Sequence, residues 1–285
     1  MKSLRFGVTS IGAIVCCAIH AASPQTVIPR TQVMHQGSKV TVVANQGRPL
    51  QGAVEALRKE YGWNADFEDP IYSGTDLVDD TNPSWRLQHP SSKGVTRPAG
   101  GKFVTSFDDS DPAEILSRTG EERVLRSIVL DYNASGGPGQ FEVRKSASGR
   151  LSVVGISRSN SSTNSKPLSI LDTPINLEVK DRSAIQAVHE ILNALQVQSG
   201  HKMLFWGPNN LLARTPTTIG GQNVSARDLL GGVANATKCG LSIDALYDAD
   251  VDLYGLNMSM TTRSHPDAFG KKVEIVIGPT QHYCL

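Results

Sequence analysis

Two rhythms of apolar and polar positions run along this chain: a period of two, which predicts strands, and a period of about 3.6, which predicts helices. Lys39–Asn45 (KVTVVAN) is a β-branched strand. After a Gly-Arg-Pro turn, Leu50, Ala53, Val54 and Leu57 fall at helical spacing, with Pro49 suited to the first turn and Arg58, Lys59 and Glu60 expected on the wet face. Gly62 ends this helix as a left-handed cap would. Trp63, Ala65 and Phe67 then alternate as a strand, so Tyr61-Gly62-Trp63 is expected to be the corner of a β-α-β unit with the aromatics packed over it.

Residues 73–101 are rich in Ser, Pro, Gly and Asp without periodicity, and read as a long inserted loop. Beyond it, KFVTSF is a strand. Asp111 and Pro112 open a helical stretch whose apolar face runs from Ile115 to Tyr132, in two pieces divided near Gly120. A hairpin follows, with Phe141 and Val143 on one arm and Leu151, Val153 and Gly155 on the other. Residues 158–168 are polar and repetitive, the composition of a linker.

The order then repeats. PINLEV is a strand, and Ile185, Val188, Ile191, Leu192 and Leu195 mark an amphipathic helix ended by Gly200. HKMLFW is the next strand. Ser225 caps a helix through Leu229, Leu230, Val233 and Ala236, closed by Gly240, and two strands (LSIDALYD and VDLYGLNMSM) follow. The expected class is α+β: two small β-α-β-β-α-β-β modules in tandem, each with short sheets packed on two helices. The expected boundaries are a polar arm over 24–38, modules over 39–157 and 169–262, and a tail over 263–285.

The N-terminus changes the setting. Lys2 and Arg5 precede an apolar run, Phe6–Ile19, and small residues follow before Pro24, the pattern of a secretory signal peptide over residues 1–23. The alternative is a retained anchor or a buried helix. Signal removal would leave Cys239 and Cys284, which in an exported chain can form one disulfide, a pairing the sequence leaves open. The expected location is periplasmic or secreted, with no membrane span after removal. A net charge of +1 without basic runs argues against nucleic acid as a partner.

Candidate chemistry is thin. His35, His89, His189, His201, His265 and His282 are scattered, and His189 has no second histidine four residues on. Asp248–Asp252 (DADVD) hints at a calcium loop, but Leu253 stands where the turn needs glycine and Ser259 where a bidentate glutamate belongs. Ser135–Gln140 lacks phosphate-loop spacing and no GxSxG elbow occurs. Asn133, Asn160, Asn223, Asn235 and Asn257 begin N-x-Ser/Thr sequons, at the frequency a Ser/Thr-rich chain produces by chance. No catalytic, cofactor-binding or metal residues are assigned, and no cofactor is implied.

The segment VTVVANQGRPLQGAVEALRKEYGWNADFED resembles the secretin/TonB short N-terminal (STN) domain family through Val42, Leu50, Ala53, Leu57, Gly62 and Phe67. Two further segments are similar, with Ala184, Ile185 and Gly200 in one and Val224, Leu229 and Gly240 in the other. The resemblance implies an envelope docking module. It does not bring the family's channel or receptor activity, since 285 residues leave no room for a barrel beside these modules. The expected function is an exported, non-enzymatic interaction or assembly module with a protein partner in the bacterial envelope. The alternative is a small-molecule binder or enzyme with its site between the modules or under the 73–101 insertion. Open strand edges suit partner binding by strand addition.

Overall fold

A computed structural model describes residues 31–156, 169–266 and 272–276, the last hairpin's inner residues by backbone alone. The signal segment, residues 24–30 of the arm, the 158–168 linker and Cys284 fall outside the described residues.

In the first half, β1 (Thr31–Gln36) and β2 (Lys39–Gln46) form a hairpin, so much of the expected arm is a strand. Only Gly37 and Ser38 separate the two, and Gly37 takes a positive φ of 61°, which glycine adopts without steric cost. Helix α1 (Pro49–Tyr61) starts on Pro49 and ends at Gly62, whose φ is 73° and whose N–H bonds to Arg58 O at 2.8 Å. The following strand β3 (Asp66–Glu68) is three residues long.

The 73–101 segment is not a bare loop. It carries β4 (Leu77–Asp79), α2 (Pro83–Gln88), capped by Asn82, and β5 (Thr96–Pro98), which pairs antiparallel with β4. Its periodicity is invisible because side-chain bonds rather than an apolar face hold it, among them Arg86–Asp79 and Arg97–Asp80.

Strand β6 (Gly101–Asp108) leads to the short α3 (Pro112–Ile115), capped by Asp111, and to α4 (Arg118–Ser135), capped by Ser117. The break therefore falls at Leu116-Ser117, not at Gly120. Gly120 lies inside α4, where a Cβ would stand 2.1 Å from Glu114 O, so it permits close packing of the two helices. Strands β7 (Gln140–Lys145) and β8 (Leu151–Ile156) close the half as a hairpin.

The second half runs β9 (Pro174–Leu177), β10 (Arg182–Ser183), α5 (Ala184–Ser199), β11 (Lys202–Trp206), α6 (Asn209–Arg214), β12 (Pro216–Thr217), β13 (Gly221–Ser225), α7 (Ala226–Ala236), β14 (Leu241–Asp248) and β15 (Leu253–Met260). A hairpin of β16 (Thr262–Pro266) and β17 (Lys272–Val276) ends the described chain. The first helix is fixed by a capping box of Ser183 and Gln186 and a left-handed Gly200. At the second, Gly240 is not the cap: the helix ends at Ala236, and Lys238 takes the positive φ, 55°.

The class is α+β. Three pairings occur once in each half. Strands β2 and β6, and β9 and β13, are antiparallel; β3 and β8, and β11 and β15, are parallel; β7 and β8, and β14 and β15, are antiparallel. One further pairing joins the halves, β3 beside β14, parallel. The result is one six-stranded sheet in the order β11-β15-β14-β3-β8-β7, shared by both halves.

Strand registers show how the cores sit. One row across the sheet is Val143, Val153, Phe67, Asp244, Asn257 and Trp206, and the row facing the other way is Glu142, Val154, Glu68, Ala245, Leu256 and Phe205. Val143, Val153 and Phe67 join α1 and α4 in the first core, while Ala245, Leu256 and Phe205 join α5 and α7 in the second. The two cores thus lie on opposite faces. The helices of each half pack on one face of that half's strands.

Candidate functional site

The β3–β14 contact sits where charge would least be expected. Asp66, Glu68, Asp69 and Asp244 are all buried, as are Arg58, Arg150 and Arg227. Buried charges are tolerated only when paired and hydrogen-bonded, and each carboxylate here has an arginine. Arg58, expected on the wet face of α1, instead turns inward and grips Asp244 with two bonds of 3.0 and 2.7 Å. Arg227 at the start of α7 reaches Glu68 in the opposite direction, and also Ser169 and Asp172. The exchange is reciprocal: a helix of each half supplies the cation for a strand of the other.

Two more pairs complete the seam. Arg150 holds Asp66 through two bonds and donates to Leu241 O at 2.7 Å. Arg48 bonds Asp69 at 2.7 Å and Tyr247 O at 2.7 Å. Asp69 also accepts from Tyr72 Oη and Tyr247 N. Burial pushes the Asp69 carboxyl up, and Arg48 and Tyr72 pull against it.

The sheet's two edges differ. Along β7, Glu142, Arg144 and Lys145 carry ion pairs, with Arg144 bonded to Glu142 and Asp172. Charges of this kind protect an edge from pairing. Along β11, Leu204 is 47% and Trp206 53% exposed, while Met203 and Phe205 turn inward. Trp206 lies over Gly255, where a Cβ would come within 2.7 Å of its ring. The Met203 N–H is taken by Gln196 Oε1 at 3.2 Å. Phe205, two residues on, directs its backbone to the same open side.

Between the halves on the α5 side is a cleft of about 210 Å³ lined by Asp69, Pro70, Ser169, His201 and Tyr254 among others. His201 is not an isolated strand residue. Its Nδ1 meets Asp252 Oδ1 at 2.8 Å, and the Tyr247 hydroxyl donates to the same oxygen at 3.0 Å. The His201 bond holds the Asp252 carboxyl below the usual range.

The other sequence candidates have structural employment. Tyr61 stacks on Trp63 at 5.0 Å over Gly62; the Tyr61 hydroxyl donates to Asp109 and Trp63 Nε1 to Ile115 O. Cys239 is disulfide-bonded, and Cys16, Cys17 and Cys284 all lie outside the described residues. In the 248–252 loop, Asp250 accepts from Thr96 N and Thr96 Oγ1, which ties the insertion to β14–β15. No group of three or more metal-ligating residues gathers among the described residues. His35 meets Glu60, His89 stacks on Trp85, and His189 meets Phe205 edge-on. Gly136 caps α4 with a φ of 73°.

Among the sequons, Asn133 bonds both backbone groups of Phe141, Asn257 lies within β15, Asn223 and Asn235 are exposed, and Asn160 lies outside the described residues. Sequence reasoning missed the seam arginines. Their one signal is position, since Arg58 follows Leu57 and lies four residues after Val54, at the margin of the apolar stripe. Among the described residues no helix is long and apolar enough to cross a membrane. Comparison with protein-family models, with curated proteins and with solved structures gives no match.

Proposed function

We propose that this protein is an exported, non-enzymatic docking module of the bacterial cell envelope that binds an extended segment of a protein partner along β11. The observation that carries the reading is the contrast between the sheet's edges, charged at β7 and apolar at β11 with Leu204 and Trp206 exposed. An added strand gains main-chain bonds from the edge and side-chain contacts from alternate residues. Here the Phe205 backbone offers the bonds, and Leu204 and Trp206 offer the apolar contact.

The recurrence of the same three pairings in both halves supports reading each as a module of the STN-like type. Three buried arginine–carboxylate pairs and one half-buried pair, Arg48 with Asp69, brace the two modules at the seam as one stiff platform, and rigidity lowers the ordering cost of binding. Affinity recovery of the tagged protein from its own cells, under mild cross-linking, tests the reading. The wild type is expected to bring down an envelope protein that Leu204→Glu and Trp206→Glu variants, folded by circular dichroism, do not. Equal recovery by wild type and variants would refute docking at β11.

A further inference from the structure

We propose that the cleft between the halves is a binding site for a small uncharged polyhydroxyl molecule of about monosaccharide size. Its volume of about 210 Å³ equals the share of about seven waters in the liquid, room for one hexose-sized ligand. Both halves build it: Asp69 and Pro70 come from the β3 exit, and Ser169, Ser199, His201 and Tyr254 come from the second half.

The wall's Asp69, and Arg227 behind Ser169, are already spent. Asp69 is held by Arg48, Tyr72 and the Tyr247 amide, and Arg227 by Glu68, Asp172 and Ser169. An ionic ligand would therefore enter without a counter-charge, which is costly away from water.

The groups left over are neutral. Tyr254 is 1% exposed, lines the cleft, and its hydroxyl has no hydrogen-bond partner among the described residues. A tyrosine hydroxyl in a cleft wall can both donate to a ligand and accept from it. His201 is fixed through Nδ1 on Asp252, which leaves Nε2 for a ligand. The Ser169 hydroxyl accepts from Arg227 and the Ser199 hydroxyl from the His201 amide, so each keeps its own proton to donate. Hydroxyls on a ligand both give and accept, and so match this set. Pro70, Ile170 and the Tyr254 ring supply apolar wall for the carbon skeleton.

Thermal unfolding of the full chain in the presence of D-glucose, D-galactose, N-acetyl-D-glucosamine and myo-inositol in the millimolar range tests this site. At least one is expected to raise Tm along a saturating curve, and both Tyr254→Phe and His201→Ala should abolish that shift. Tyr254→Phe keeps the ring and removes a hydroxyl that has no hydrogen bond among the described residues, and circular dichroism checks that the variant folds. No saturable shift with any of the four, a linear rise of the osmolyte kind, or a shift that survives both substitutions would overturn the proposal.

Discussion

Arg58 and Asp244, 186 positions apart in the chain, form a two-pronged ion pair with both side chains buried. One belongs to a helix of the first half and the other to a strand of the second. Removing one partner of such a pair leaves an uncompensated buried charge, worth about 3–5 kcal/mol. Arg58→Ala is therefore expected to lower unfolding stability by that amount, read from urea denaturation. Arg58→Met with Asp244→Leu, which removes both charges and leaves apolar side chains in their place, should recover most of it.

The reciprocal pair, Arg227 with Glu68, gives a sharper test of the seam. With both crossings intact the chain is expected to unfold in one transition. Combining Arg58→Met and Asp244→Leu with Arg227→Met and Glu68→Leu replaces the long-range bonds with shape alone. Calorimetry should then resolve two transitions, one for each core. A single transition in the combined variant would mean that the β3–β14 ladder and its packing couple the halves without the ion pairs.

Glycines at two places separate backbone strain from lack of space. At Gly62 φ is 73°, the left-handed region that a side chain enters at a cost, so Gly62→Ala should cost about 1 kcal/mol. At Gly155, inside β8, a Cβ would stand 2.1 Å from Pro70 N just after β3. Gly155→Ala must push β3 away from β8, and is expected to destabilise by clearly more than Gly62→Ala in the same denaturant series.

The legible part of this fold is local. The caps of α1 and α5, with Gly62 at one end and Ser183 and Gly200 at the other, stand at fixed offsets from an apolar stripe and can be counted off. Pairings across distance leave no such trace. Asp66, Glu68 and Asp69 flank Phe67 as solvent-side residues of a strand would, and only their arginines, at positions 150, 227 and 48, make their burial tolerable. A repeated order of elements can be read along the chain, yet the parallel β3–β14 contact that joins strands of both halves in one sheet rests on register, which strands of such different length do not announce. The same holds for His201 and Asp252, apart by 51 positions and joined only by the turn of β11 beside β15.

Alkaline pH should expose the buried phenols. Tyr61, Tyr72, Tyr132, Tyr247 and Tyr254 are all pushed up, first by burial; Tyr247 goes to about 12, with its bond to Asp252 adding to the effect. A raised acid group binds its proton longer when folded. Stability is then fully present below the unfolded phenol value near 10 and is lost as pH climbs from there toward the folded values. Ultraviolet titration of the native chain is expected to lag that of the urea-unfolded chain, and to catch up as the protein unfolds. Coincident curves would mean that these rings are not buried.

Docking along β11 is tested most directly by a photo-cross-linking amino acid placed at position 204 in cells, with position 142 on the opposite edge as the control. The account predicts an adduct with an envelope protein from position 204 and none from position 142, and loss of that adduct when Trp206 is also changed to Glu. Adducts of the same protein from both positions, or from 142 alone, would contradict it.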